Sequence, residues 1–384
     1  MDVKQIYGLT NEVVKEVLGE ESLVKEDLSN LVDVGTSIFN ANAVDNYVRK
    51  LVDHIGKMVF VNRTYRGAVP SVLMDAWEFG SVLEKVSGGL YDAQENETWN
   101  LEDGQEYNQD IFYKPKAIVK FYNSKTTFEI PMSFTERQLK ESFSNATQMN
   151  SFLSMIMNDV EKSLTIKVDA LIQRTINNMI CETIYDDYGA DALSSKSGVK
   201  AINLLYLYNQ ANGTHLTASQ AILSKDFLRY ASMQIMLYVS RIKRISKLFN
   251  IGKQPRFTPD DLLHLVMLED FRAGANAYLQ SDTFHDDYTK LPNAESVPYW
   301  QGSGTSYAFS DVSQIKITTS ESHDVTATGV LAVLWDRDAL GVSNPDRRVT
   351  THYNAKAEFY NNYYKHDASY FNDFNENMIV FFVA

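Results

Sequence analysis

Cysteine is almost missing from this chain. Cys181 is the single one in 384 residues, so no intrachain disulfide can form and a reducing interior is the natural place of synthesis. Of the eight prolines none lies between Pro131 and Pro255, and no glycine lies between Gly104 and Gly189. A stretch without either residue is free to form one unbroken helix. Long apolar runs are missing too: no segment approaches the roughly 18–20 apolar residues of a membrane span. The N-terminus, MDVKQIYGLTNEVVKEVLGEES, is amphipathic and acidic, without the uninterrupted apolar stretch of a signal peptide. Positive charge is in deficit. The formal net charge of −13 argues against a protein that grips nucleic acid over a large surface, though not against one that encloses it.

Catalytic signatures are equally scarce. The chain contains no G-x-x-x-x-G-K-[ST] loop, no G-x-G-x-x-G after a strand, no H-E-x-x-H and no G-x-S-x-G. The glycine run QGSGTS (301–306) lacks the lysine and the strand–helix setting of a phosphate cradle. His285-Asp286-Asp287 puts three potential ligands on consecutive residues, which point in different directions, so a polar loop explains them better than a metal site. DDYGAD (186–191) lacks the ligand order and closing Glu of a calcium loop and reads as a solvated turn. Cys181 sits in an apolar pattern and reads as a small buried hydrophobe. The expectation is a protein without catalytic residues, cofactor or metal.

What the sequence does have is a spine. From Met149 to Ile180, Phe152, Ile156, Val160, Leu164, Val168, Leu171 or Ile172, Ile176 and Met179 share one broad helical face, with Asp159, Lys162, Lys167 and Arg174 elsewhere. Such a helix would be roughly 46 Å long at 1.5 Å per residue, and needs a sheet or neighbour along its whole face.

Before the spine the chain changes character. Residues 1–62 read as short amphipathic helices, among them VVKEVLGEES and AVDNYVRKLVDHIG, followed by a strand KMVFVN. Residues 63–128 are polar, acidic and punctuated by glycine, with isolated Trp77, Tyr91, Trp99 and Tyr107. Ala117, Val119 and Phe121 alternate as in a strand. A long loop carrying scattered large aromatics suggests contact with another surface, and an arm reaching onto a neighbouring subunit explains both features. An insertion folded back on its own domain is the alternative.

After the spine, DDYGADALSSKSGVK (186–200) marks a weak boundary. KDFLRYASMQIMLYVSRIKRISKLF and PDDLLHLVMLEDFRAGANAYLQ read as helices, QIKITTS and TGVLAVLWDRDAL as strands. Within the first, RIKRISKLFNIGK (241–253) predicts an amphipathic helix whose basic face, with Arg241 and Arg244, is solvated or meets another subunit. The last 32 residues hold ten aromatics and few charges, and read as long strands and a hairpin ending in MIVFFV. Such a terminal strand belongs in a sheet against the spine.

The order of these parts resembles the major capsid proteins of tailed bacteriophages, the Hong Kong ninety-seven fold. DNYVRKLVDHIGKMVF, FEIPMSFTERQL, AYLQSDTFHDDYTKLPNAESVPYWQGSG, LAVLWDRDALGV and AKAEFYNNYYKHDASYFNDFNENMIVFFV are similar to those of phages infecting Gram-positive bacteria. The resemblance implies an α+β fold in five parts: N-arm and start of the P-domain (1–62), E-loop (63–128), P-domain with spine helix (129–195), A-domain (196–345), and C-terminal strands returning to the P/A-domain sheet (346–384). It implies a shell protein that assembles through pentamers and hexamers around double-stranded DNA, without sequence-specific binding and without a membrane. The subunit contacts would include Trp77, Tyr91, Trp99, Tyr107, Arg241 and Arg244. Implied partners are a portal protein at one vertex, possible decoration proteins and a separate scaffolding protein, since only about thirty residues precede the N-arm-like segment. The place of action would be the virion, assembled in the host cytoplasm. An encapsulin-type nanocompartment shell, a hydrolase or transferase with an unrecognised site, and a cell-surface binding module are the alternatives.

Overall fold

The structure, a computed structural model, describes residues 3–19, 23–25, 29–40, 43–44, 46–51, 54, 72–74, 83–88, 93, 95–107, 110–114, 117–142, 146–189, 193–282, 294–300 and 313–384. Its axis is one helix, Ala146–Tyr188, longer at both ends than the apolar spacing alone predicts. Counting described helices in chain order, it follows α1 (Val3–Leu18), α2 (Leu31–Asn40) and α3 (Glu136–Ser142), and is α4. It stops at Gly189, whose positive φ of 61° suits glycine and lets its N–H donate to Tyr185 O at 2.7 Å.

Two hydrophobic cores share this helix. Its first half contributes Phe152, Leu153, Ile156, Val160 and Leu164 to a core with Val13 and Val14 of α1, Leu31 and Ile38 of α2, and Tyr47, Val48 and Leu51. Its second half, from Val168 to Tyr188, enters a larger core. The buried residues recur every fourth position (152, 156, 160, 164, 168, 172, 176, 180, 184, 188), and on a 3.6-residue helix that spacing advances the stripe by about 40° each time. Over the helix the stripe winds about once around, and residues 175–184 are buried without interruption. Asp159, Lys162, Lys167 and Arg174 are exposed, as the spacing predicts.

Against the first core lies a four-stranded sheet, ordered β1 (Leu73–Met74), β11 (Leu340–Asn354), β12 (Phe359–Asn372) and β4 (Lys125–Thr135). β11 and β12 form the long aromatic hairpin, Asn354 opposite Phe359, and alternation along β12 turns Tyr360 and Tyr364 inward. The larger core surrounds a five-stranded sheet, ordered β5 (Ala201–Asn203), β13 (Met378–Phe382), β10 (Val330–Asp336), β6 (Leu263–Leu268) and β7 (Glu295–Val297). β10 and β13 are buried throughout, as strands covered on both faces must be, and the terminal strand does return to a sheet against the spine. The remaining strands form two hairpins, β2 (Leu83–Gly88) with β3 (Ala117–Tyr122), and β8 (Ile315–Thr318) with β9 (Asp324–Ala327).

Three expectations are corrected. The start of DDYGAD is not a solvated turn: Asp186, Asp187 and Tyr188 close α4, and the largely buried Asp187 side chain pairs with Lys200 at 2.9 Å. PDDLLHLVMLEDFRAGANAYLQ is not one helix: Leu263–Leu268 is strand β6, paired with β10, and only Glu269–Asp282 is helical. The amphipathic helix at 241–253 also fails. After α5 (Leu204–Asn212) and α6 (Ala218–Leu223), α7 runs from Lys225 and ends at Ile242. The chain then turns back so that Ser246 and Arg256 exchange backbone hydrogen bonds at 2.9 and 3.0 Å.

Candidate subunit-contact surface

The polar segment read as an arm contains the β2–β3 hairpin, whose register pairs Lys85 with Lys120 and Val86 with Val119. Strand alternation gives the hairpin two faces, and they are reversed from the usual arrangement. Val86, Val119 and Phe121 are exposed, Phe121 by 64%, while Lys85 and Lys120 turn toward the body.

Two like charges directly opposite each other weaken a hairpin unless something neutralises them. Here Asp373, in the loop between β12 and β13, takes both: Lys85 Nζ lies 2.9 Å from one oxygen and Lys120 Nζ 2.9 Å from the other. Lys85 also pairs with Glu376 at 2.8 Å and donates to Asp338 O at 3.2 Å; Arg256 Nε lies 3.3 Å from the same Glu376 oxygen. Burial alone would raise the Asp373 carboxyl, but the hydrogen bond from Lys120 and the charge of Lys85 outweigh it and hold the group below its ordinary range. Burial likewise opposes the Lys85 ammonium, and Glu376 and Asp373 overcome it and hold it above its ordinary range. Tyr122, beside the network, packs against Phe371 with tilted rings 5.1 Å apart, and burial pushes its hydroxyl up.

Beyond this base the arm carries apolar groups outward. Trp99 is 94% exposed and Phe112 85%, with Leu101, Ile111 and Tyr113 also open to solvent. Local bonds shape the segment: Asn96 Oδ1 accepts from the Thr98 N–H and hydroxyl, and Tyr107 OH accepts from Glu102 N at 3.1 Å. Burying an aromatic side chain of this kind removes roughly 150–250 Å² from water, which at ~25 cal/mol per Å² contributes an upper limit of about 4–6 kcal/mol.

Of the six residues expected at subunit contacts, Trp77 and Tyr91 lie outside the described residues. Trp99 and Tyr107 lie on the arm, Tyr107 at 41% exposure because its hydroxyl closes the local turn. Arg241 and Arg244 sit elsewhere, at the end of α7 and in the turn after it. Arg241 lies over the Tyr238 ring at 4.7 Å, and Arg244 N donates to Arg241 O at 3.1 Å. They border an exposed apolar turn with Ile245 and Leu248 rather than a basic helical face. Sequence reasoning missed Lys85, Lys120, Asp373 and Glu376, whose partnership spans about 250 residues; the only local signal was lysine alternating with apolar residues in KAIVKFY.

Among the described residues no three His, Cys, Asp or Glu groups are placed to hold a metal ion, and no helix is long and apolar enough to cross a membrane. QGSGTS and His285-Asp286-Asp287 lie outside the described residues. Burial, aided by the charge of Glu182, pushes the Cys181 thiol up to about 12, which suits packing and not nucleophilic attack.

Comparison with known proteins places these observations. The major capsid protein of Bacillus phage GA-1 is 21% identical over 197 residues, 48% of this chain and 40% of that protein's length. A chain of the Staphylococcus phage Andhra capsid superposes with a TM-score of 0.51 at 10% identity, covering 84% of this chain and 86% of its own. A chain from the bacteriophage P68 structure of head fibre and inner core protein gives 0.52 at 8% identity, with the same coverage of both chains. These likenesses show the α+β fold of tailed-phage capsid proteins. The sequence model of Phi29-like phage major capsid proteins matches residues 10–382, and the chain belongs to that family.

Proposed function

We propose that this chain is the head-shell subunit of a tailed phage, self-assembling through pentamers and hexamers into an icosahedral or prolate container for double-stranded DNA. The observation that carries the reading is the arm: a hairpin tied to its own body by buried ions, with Trp99, Leu101, Phe112 and Tyr113 facing solvent. Exposed apolar groups held on a fixed base suit a surface completed by another copy. The arm corresponds to the E-loop (63–128), with the N-arm and start of the P-domain at 1–62, the P-domain at 129–195, the A-domain at 196–345 and the returning strands at 346–384. In a ring the contact is heterologous, so one surface of each copy meets a different surface of the next. Each protomer held by several modest contacts leaves only when all break together.

The role is structural, with no reaction assigned. The acidic balance keeps contact with packed DNA weak and independent of base sequence. A separate scaffolding protein, a portal at one vertex and possible decoration proteins complete the assembly, which forms in the host cytoplasm and ends in the virion. Electron microscopy of the purified protein, alone and co-expressed with its scaffolding protein, tests the proposal. Closed shells, tubes or capsomers are expected. Monomers in both preparations, unchanged by salt or crowding, would overturn it.

A further inference from the structure

A second polar site lies where the end of α4 meets the β8–β9 turn. The cavity there measures about 500 Å³, and Glu182, Tyr185, Asp186, Glu321, His323 and Phe374 contribute to its lining. Asn178, one turn earlier on α4, has partners at both ends of its amide. Asn178 Nδ2 donates to Ser320 Oγ and Asn372 Oδ1, both at 3.0 Å, and Asn178 Oδ1 accepts from Ser320 N at 2.7 Å. Glu182 is different. It is only 5% exposed; Oε2 lies 3.2 Å from His323 Nδ1, whereas Oε1 has no hydrogen-bonding partner among the described residues. A buried carboxylate oxygen left without a donor is costly, and a donor brought in through the adjoining cavity, with a turn of the Glu182 side chain, would satisfy it.

The surroundings define the chemistry of that donor. Glu321 is exposed at the cavity, and Asp186 joins it while sharing its charge with Lys200 at 2.5 Å. No lysine or arginine is among the lining residues. The His323 ring stacks on Tyr185 with centroids 3.8 Å apart, and Phe374 supplies another aromatic surface. A bare metal ion fits poorly: the cavity is far larger than one ion, and the described residues hold no metal-binding cluster. Carboxylates combined with aromatic surfaces suit an organic cation, which offers N–H donors and a charge the rings attract.

We propose that this cavity binds an alkylammonium or guanidinium group, with Glu182 as its buried acceptor and Glu321 at its mouth. The group comes either from a free polyamine or from a lysine or arginine side chain of a neighbouring copy.

The test is calorimetric titration of the dispersed full-length protein with spermidine and with arginine amide, following the His323 ring resonances by NMR and using Mg²⁺ as a competitor. Saturable binding that moves His323 is expected, with affinity lowered about tenfold or more in Glu182→Gln, as for loss of a buried charged acceptor. Glu321→Gln, at an exposed position, should weaken it a few-fold and keeps the test open if the buried variant folds poorly. Glu358→Gln, on the β11–β12 turn, should leave it unchanged. No saturable binding to the folded wild type, equal affinity in both cavity variants, or a preference for Mg²⁺ would overturn the proposal. Titration of assembled shells separates the two sources: a site lost on assembly points to a neighbour's side chain, and a site retained points to a free polyamine. Only this last arm rests on the shell reading.

Discussion

Lys85 and Lys120 face each other across the β2–β3 hairpin, and each reaches a different oxygen of Asp373 at 2.9 Å. The pairing that would split the hairpin in isolation becomes the clip that fastens it to the body. Replacing Asp373 by Asn removes the shared counter-charge and leaves Glu376 alone with Lys85. A loss of about 2–4 kcal/mol is expected, toward the low end for a buried pair because both lysines keep some solvent. Hydrogen exchange should rise first at 83–88 and 117–122, and denaturant unfolding gives the magnitude.

The clip also sets a pH window. Asp373 is held below its ordinary 3.8, so its stabilisation is complete above that value and is lost as pH falls through the lower folded value. Lys85 is held above 10.5, so its contribution is complete below that value and is lost as pH rises through the higher folded one. Limited proteolysis of the arm should be constant between about pH 5 and 9 and accelerate in acid.

The arm's outward aromatics should matter to assembly and not to folding. Trp99→Ala and Phe112→Ala, at open positions, should shift unfolding free energy by no more than about 0.5 kcal/mol. Light scattering during assembly should nevertheless show a raised critical concentration. An unchanged assembly curve for the double variant would remove the arm from the contact surface.

Gly329 stands where no other residue fits. Its φ is +69°, and a Cβ built there would lie 1.8 Å from Val383 O, the backbone that follows β13. Gly329→Ala must displace that strand end, costing about 3 kcal/mol or more. A thermal melt of the variant measures it.

Cys181 should be silent toward thiol reagents in the folded protein, since its thiol is fully buried and raised to about 12. Labelling should proceed at the rate of opening, and mass spectrometry at graded denaturant follows it.

The long helix was legible because Phe152, Ile156, Val160, Leu164 and Val168 repeat at a spacing only a helix satisfies. Its ends were not, because residues 181–188 bury polar and acidic groups whose partners lie elsewhere in the chain; Glu182, for example, meets His323 and Asp187 pairs with Lys200. Leu263–Leu268 is a short apolar run that fits helix and strand alike, and β10 alongside it decides. Ile242, Ile245 and Phe249 keep helical spacing, but the Ser246–Arg256 bridge supplies the backbone with other partners. For the candidate contact surface, Trp99 and Tyr107 were visible as aromatics out of place in polar text. The inward lysines were not: Lys120 and Asp373 are 253 residues apart, and nothing local links them.

One turn of α4, Thr165–Lys167, belongs to neither core: Leu164 closes one and Val168 opens the other. Ile166 there is 66% exposed, and Thr165 Oγ1 donates to Glu161 O at 2.9 Å, a bond that tends to bend helices. From this turn to Tyr188 is a lever of roughly 35 Å, so tilting it by about 5° swings the far end by ~3 Å. Such a bend would tilt one half of the helix against the other beneath the β11–β12 hairpin, which gives Tyr360 and Tyr364 to one core and Val342 and Ala368 to the other.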